Sequence, residues 1–142
     1  MIGFGLSEKP VREQAHTLDG HIANLTSLLR HLDVRDATVV CHDWGGPTGL
    51  GFALSNTDRV RALVIMSTWA WPIPPSEFHK RIFPWRLMHA PVVGPYFLGR
   101  HNALAGRSMY LSVVDRKKFA AGAQSIYEGI LPDPGARLLT WT

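Results

Sequence analysis

Disulfides are the first thing this chain lacks. Cys41 is its only cysteine, so neither an intrachain disulfide framework nor a thiolate metal site can be built from it. Long apolar runs are missing too. The longest, residues 62–66 and 91–98, fall well short of the roughly 20 residues that cross a bilayer. No basic-apolar-small leader opens the sequence, since Met1-Ile2-Gly3-Phe4-Gly5 leads straight into polar residues. These absences predict a soluble, cytoplasmic protein with no membrane partner. Arg116-Lys117-Lys118 is the only basic run and is too short for a nucleic-acid patch. Internal repeats, low-complexity tracts and heptads are absent as well.

Charged residues are 18% of the 142 and hydrophobic ones 46%, a globular balance rather than a disordered one. The net charge of +4 is uneven. Residues 1–72 hold six Lys/Arg against seven Asp/Glu, and residues 73–142 hold nine against four. A mildly basic, solvated surface over the second half accounts for this.

Gly3, Gly5, Ser7 and Pro10 mark an opening loop. Leu18, Ile22, Leu25, Leu29 and Leu32 then recur at helical spacing, with Thr17 placed to cap the helix start. Ala37-Thr38-Val39-Val40-Cys41 is short, apolar and β-branched, as is Ala62-Leu63-Val64-Ile65-Met66. Both read as strands buried on two faces. Between them, residues 46–55 read as a helix. Strand, helix, strand is a βαβ unit, so the fold class is α/β with a parallel sheet. Six prolines between Pro72 and Pro95 break the pattern that follows. Helical pieces are expected over 110–127, and no strand is recognisable after residue 72. The expected organisation is a core over 1–72 and a helical cap segment over 73–142.

The chemistry lies where the first strand meets the second helix. Cys41-His42-Asp43-Trp44-Gly45-Gly46 has the strand–turn–helix context of a nucleophile elbow. Such a turn favours small residues two before and two after its apex, and Cys41 and Gly45 occupy those positions. Asp43 would project at the carboxyl end of a parallel strand, beside the N-terminus of a helix that favours its ionised form. A carboxylate so placed attacks carbon and forms an ester. Read alone, an aspartate before Gly-Gly is more often a helix cap or turn residue. The buried strand before it and the bulky Trp44 after it favour the elbow. His42 precedes the apex and is expected to point away from the carboxylate.

His42-Asp43-Trp44-Gly45-Gly46 resembles the elbow of haloalkane dehalogenases and epoxide hydrolases, both α/β hydrolases. Gly3-Phe4-Gly5-Leu6-Ser7-Glu8-Lys9-Pro10 is similar to a loop that precedes the elbow helix in both groups. Pro47-Thr48-Gly49-Leu50-Gly51 and Trp69-Ala70-Trp71-Pro72 favour the dehalogenases. The likeness is close over 3–72 and loose beyond. It implies a partial α/β-hydrolase fold and a small hydrophobic substrate, a haloalkane or an epoxide, with no cofactor and no metal. It implies Asp43 as the nucleophile and Trp44 as the group that stabilises halide and oxyanion. Trp85 is the candidate for a second halide donor, with anchoring of the cap as the equal alternative.

The resemblance also implies a histidine base and an acid that follow the nucleophile in the chain. His16, His21 and His31 precede the elbow, and His79, His89 and His101 fall in the cap span. Ser67 or Thr68 stands where some dehalogenases carry the acid. The sequence therefore reads as an internal fragment of a hydrolase that cleaves carbon–halogen bonds through an aspartyl alkyl ester, inactive as these 142 residues. Epoxide hydrolase with the same aspartate and a non-catalytic hydrolase remnant are the alternatives to the dehalogenase function.

Overall fold

In the computed structural model of the chain, the described residues are 1–72, 74, 90–103, 106, 109–130, 133–135 and 137. They divide into two compact units, Met1–Ile2 with Gln14–Ile73 and Gly3–Glu13 with Pro74–Thr142.

The first unit is the βαβ unit with one helix added. Helix α1 spans Leu18–His31, and Thr17 caps it by accepting from the Gly20 N–H at 3.1 Å. Strand β1 is Ala37–His42, helix α2 is Gly45–Ser55 and strand β2 is Val60–Met66. A 3-10 turn, Thr57–Arg59, completes the crossover. The strands pair in parallel, with Thr38 opposite Ala62, Cys41 opposite Ile65 and His42 opposite Met66. Both strands thus end at one level, which brings residue 43 beside residue 67.

Glycines let the helices approach closely. A Cβ on Gly51 would collide with Ile22 of α1. One on Gly49 would lie 2.7 Å from the Cys41 sulfur and 3.2 Å from Val39 Cγ1. A polar latch also joins the helices: Arg30 donates from Nε and Nη2 to Asn56 Oδ1 at 3.0 and 2.8 Å. Asn56 in turn donates to the Phe52 carbonyl at 2.9 Å. Phe52, Asn56 and Cys41 are the largest fully buried side chains, so the core lies between α2 and β1.

The strands are less covered than their sequences predict. Val40 is 61% exposed and Ile65 57%, and β2 holds no buried residue. Two-sided burial needs a layer on each side of the sheet and neighbours on both edges. The described part of this unit supplies α1 and α2 and only two strands.

The second unit combines the loop Gly3–Glu13 with mainly helical described residues from 90 onward. Gly3–Glu13 forms a turn in which the Lys9 ammonium donates to the Gly5 and Ser7 carbonyls at 2.7 and 3.0 Å. Pro95–Arg100 is a π-helical stretch that buries Leu98 and Gly99. Three short helices follow: α3 Met109–Ser112, α4 Arg116–Gly122 and α5 Gln124–Ile130. Asp115 caps α4 by accepting from the Lys118 N–H at 3.0 Å. Asn102 donates to the Glu128 carbonyl at 3.2 Å, and Arg137 to the Gly99 carbonyl at 2.8 Å.

Candidate active site

Asp43 follows β1 directly and precedes α2 by two residues. Its φ is +48°, a left-handed conformation that costs an ordinary L-residue about 1–2 kcal/mol. Aspartate tolerates it better than most residues. The turn is fastened by backbone contacts. The Asp43 N–H donates to the Ser67 carbonyl at 3.3 Å, and the Asp43 carbonyl accepts from the Gly46 N–H at 2.9 Å. The Thr68 hydroxyl donates to the same carbonyl at 2.6 Å. Ser67 is itself left-handed, with φ +39°, so both strands end in the same unusual conformation.

The cap reading of Asp43 finds no support in this geometry. Trp44 holds the N-cap position of α2, and no side chain caps that helix. The Asp43 side chain is exposed. Among the described residues its carboxylate receives no hydrogen bond and enters no ion pair.

Trp44 is 53% exposed, and its ring meets Trp69 edge to face, with centroids 5.0 Å apart and planes at 79°. Thr48 donates to the Trp44 carbonyl at 3.2 Å, closing the first turn of α2. His42 is exposed. Trp85, the candidate second halide donor, lies outside the described residues, as do His79 and His89.

The small residues act at other positions than the sequence suggests. A Cβ on Gly45 would meet nothing within 4 Å, so Gly45 is not pressed by the turn. Gly46 is the tight position, since a Cβ there would run into the Thr68 side chain. Cys41 is indeed crowded, but by Gly49 one turn into the helix. Burial raises its thiol pKa above the usual cysteine value. The sequence marks Thr68 only as one of two places for the missing acid and does not announce its contact with the elbow. The signal was weak: a hydroxyl residue two positions past β2 becomes meaningful only once the register is known.

No helix among the described residues is long and apolar enough to cross a membrane. Nor do the described residues bring together three or more His, Cys, Asp or Glu side chains that could hold a metal ion.

The alpha/beta hydrolase fold family profile matches residues 1–88. A cis-3-alkyl-4-alkyloxetan-2-one decarboxylase of Xanthomonas campestris is 35% identical over 124 residues, 81% of this chain and 40% of that protein. Haloalkane dehalogenase 2 of Mycobacterium tuberculosis is 31% identical over 136 residues, 96% of this chain and 45% of that protein. The solved haloalkane dehalogenase DatA of Agrobacterium tumefaciens superposes with a TM-score of 0.75 at 26% identity, over 99% of this chain and 47% of its own. The chain thus spans less than half the length of these proteins. A parallel βαβ unit with a left-handed aspartate at the strand–helix turn, matched by that profile over more than half of the residues, means that the chain belongs to the α/β-hydrolase fold family.

Proposed function

We propose that Asp43 is the nucleophile of a haloalkane dehalogenase-type reaction and that Trp44 receives the leaving halide. One carboxylate oxygen attacks the carbon bearing the halogen. The carbon–halogen pair of electrons leaves with the halide, and an aspartyl alkyl ester results. The observation that carries this reading is the exposed carboxylate, without a partner among the described residues, on a left-handed residue at the end of a parallel strand. The Trp44 indole N–H is the donor for the departing ion. A hydrogen bond to an ion is worth about 1.5–3 kcal/mol net, or roughly tenfold to a hundredfold in rate. Similarity to haloalkane dehalogenases supports a small hydrophobic substrate. In this reading residues 73–142 are a cap segment, and Trp85 is the second halide donor.

Water must then attack the ester carbonyl, and that step needs a base to accept a proton. The chain's histidines precede the elbow or fall in the cap span, so the expected product for the 142 residues is the ester, without turnover. Peptide mass mapping after exposure to 1-bromobutane tests this: one butyl group on Asp43, absent in Asp43→Asn. Butylation elsewhere only, on Cys41 for example, overturns the nucleophile assignment. Steady bromide release that disappears in Asp43→Ala overturns the arrest at the ester.

A second reading is favoured by the decarboxylase relative, which is the more identical of the two over the part it matches. A four-membered lactone also has a carbon that a carboxylate can attack with opening of a strained C–O bond, the displaced carboxylate staying on the substrate. Offering 1-bromobutane, styrene oxide and a cis-3-alkyl-4-alkyloxetan-2-one side by side separates halide displacement from epoxide or lactone opening. Each leaves an adduct of different mass on Asp43.

A further inference from the structure

We propose that Thr68 is a positioning residue for the nucleophile: its hydroxyl clamps the strained backbone from which the Asp43 carboxylate projects. The inference rests on the reading of Asp43 as nucleophile and names the device that aims it.

Three contacts converge on the elbow from consecutive residues after β2. The Ser67 carbonyl accepts from the Asp43 N–H at 3.3 Å, which extends the ladder of β1 and β2 by one rung. The Thr68 hydroxyl donates to the Asp43 carbonyl at 2.6 Å. The Trp69 ring meets Trp44 edge to face. The segment therefore grips both functional residues of the elbow, one through its backbone and one through its ring.

The Thr68 bond has a particular task. A left-handed aspartate relaxes to an ordinary conformation unless its surroundings determine it. Rotation out of φ +48° swings the peptide that follows, and with it the Asp43 carbonyl. That carbonyl is held by the Gly46 N–H, which belongs to the turn itself, and by Thr68, which belongs to the neighbouring strand's exit. Of these two, only the Thr68 bond ties the carbonyl to something outside the turn; the Ser67 bond holds the Asp43 N–H, on the other side of the Cα. Gly46 has no side chain to obstruct the approach of Thr68, so the threonine reaches the carbonyl without displacing α2. Side-chain direction follows backbone conformation, and displacements near 1 Å at a reacting group are costly.

The test compares the full chain with Thr68→Ala and Thr68→Ser. The readout is the rate of butyl transfer from 1-bromobutane to Asp43, with urea midpoints on the same samples. Thr68→Ala is expected to slow transfer about tenfold or more, mainly in the saturating rate rather than in the half-saturating concentration. Thr68→Ser, which restores the hydroxyl, is expected within about threefold of wild type. Transfer by Thr68→Ala at the wild-type rate overturns the proposal. So does a serine variant as slow as the alanine one, since the methyl would then be what matters.

A second measurement needs no reactivity. Asp43→Gly relieves the left-handed penalty, so it raises the urea midpoint in the wild-type background. In the Thr68→Ala background that gain disappears, because the backbone there has already relaxed. An equal gain in both backgrounds overturns the clamp. A wild type that takes up no butyl group refutes the nucleophile reading and leaves this second comparison to decide for or against Thr68.

Discussion

The two strands are alike in sequence and differ in surroundings. Each is a short apolar run, yet β1 is covered on one face by α2 while β2 has no buried residue. At β1 the packing is steric and specific: Cys41 is fully buried and Gly49 passes its sulfur with no room for a methyl group. At β2 Leu63, Val64, Ile65 and Met66 are each at least 41% exposed. Close packing makes a position sensitive to single atoms, and an apolar side chain that touches little is not. The contrast locates the cooperative part of the first unit in α1, α2 and β1, with β2 attached mainly through its backbone ladder and its exit clasp.

The covered side should break hardest. Gly49→Ala puts a methyl group 2.7 Å from the Cys41 sulfur and should cost about 2–3 kcal/mol. Adding Cys41→Ala removes the sulfur and should return about half of the loss, a coupling that urea midpoints of the four variants measure. Gly45→Ala is the internal control. Nothing lies within 4 Å of the added carbon, so its midpoint should stay near wild type. If Gly45→Ala and Gly49→Ala cost the same, the packing asymmetry described above is wrong.

The latch between helices comes next. Asn56→Ala removes an acceptor for two guanidinium N–H groups and a donor to the Phe52 carbonyl, at a site only 1% exposed. About 2 kcal/mol is expected, since bonds to charged groups exceed neutral ones. Arg30 is exposed, so Arg30→Ala should cost less than Asn56→Ala. The reverse order would mean that the arginine's packing, not the buried asparagine, carries the latch.

Much of this organisation is legible in the sequence alone. The helix stripe from Leu18, the Thr17 cap, both strands and the parallel crossover follow from local periodicity and appear as expected. The elbow was legible because a β-branched run, an aspartate and a glycine pair stand in a fixed order. What could not be read depends on which residues meet across the register. Gly46, not Gly45, is the crowded glycine because Thr68 stands opposite, twenty-two residues further along the chain. The expected burial of β2 failed because an apolar run states what a strand can tolerate, while cover depends on which other layers are present. The π-helical stretch at Pro95–Arg100 has no periodicity of its own to announce it.

On the open side the effects should be small in stability and visible in association. Ile65 stands opposite Cys41 and is 57% exposed. Ile65→Thr keeps the β-branch and should change the urea midpoint by less than about 0.5 kcal/mol. Contiguous exposed apolar side chains invite association, so the same variant should bind less hydrophobic dye and form fewer large species in light scattering. A loss comparable to that of Gly49→Ala would show β2 to be as well packed as β1, and the contrast would fail.

The smallest expected effect concerns the protonation of His21, buried on α1. Its pKa lies below the ordinary histidine value, first because burial disfavours the charged ring, then because His16 and the N-terminal amine oppose a further positive charge. The unfolded chain therefore binds this proton more readily than the folded one. The contribution to stability is complete above the ordinary histidine range, near pH 6.5, and is lost as pH falls through that range toward the lowered value. Asp33 also has a lowered pKa, through hydrogen bonds from Arg35 and then Arg59, but a carboxylate titrates near pH 4 and leaves the window above about pH 5 to histidine. Urea midpoints at about pH 7.5 and pH 5.5 should differ more in wild type than in His21→Gln. The same acid loss in both would move the proton uptake to one of the other histidines, and α1 would then be a layer whose burial at residue 21 is too shallow to disfavour a charge.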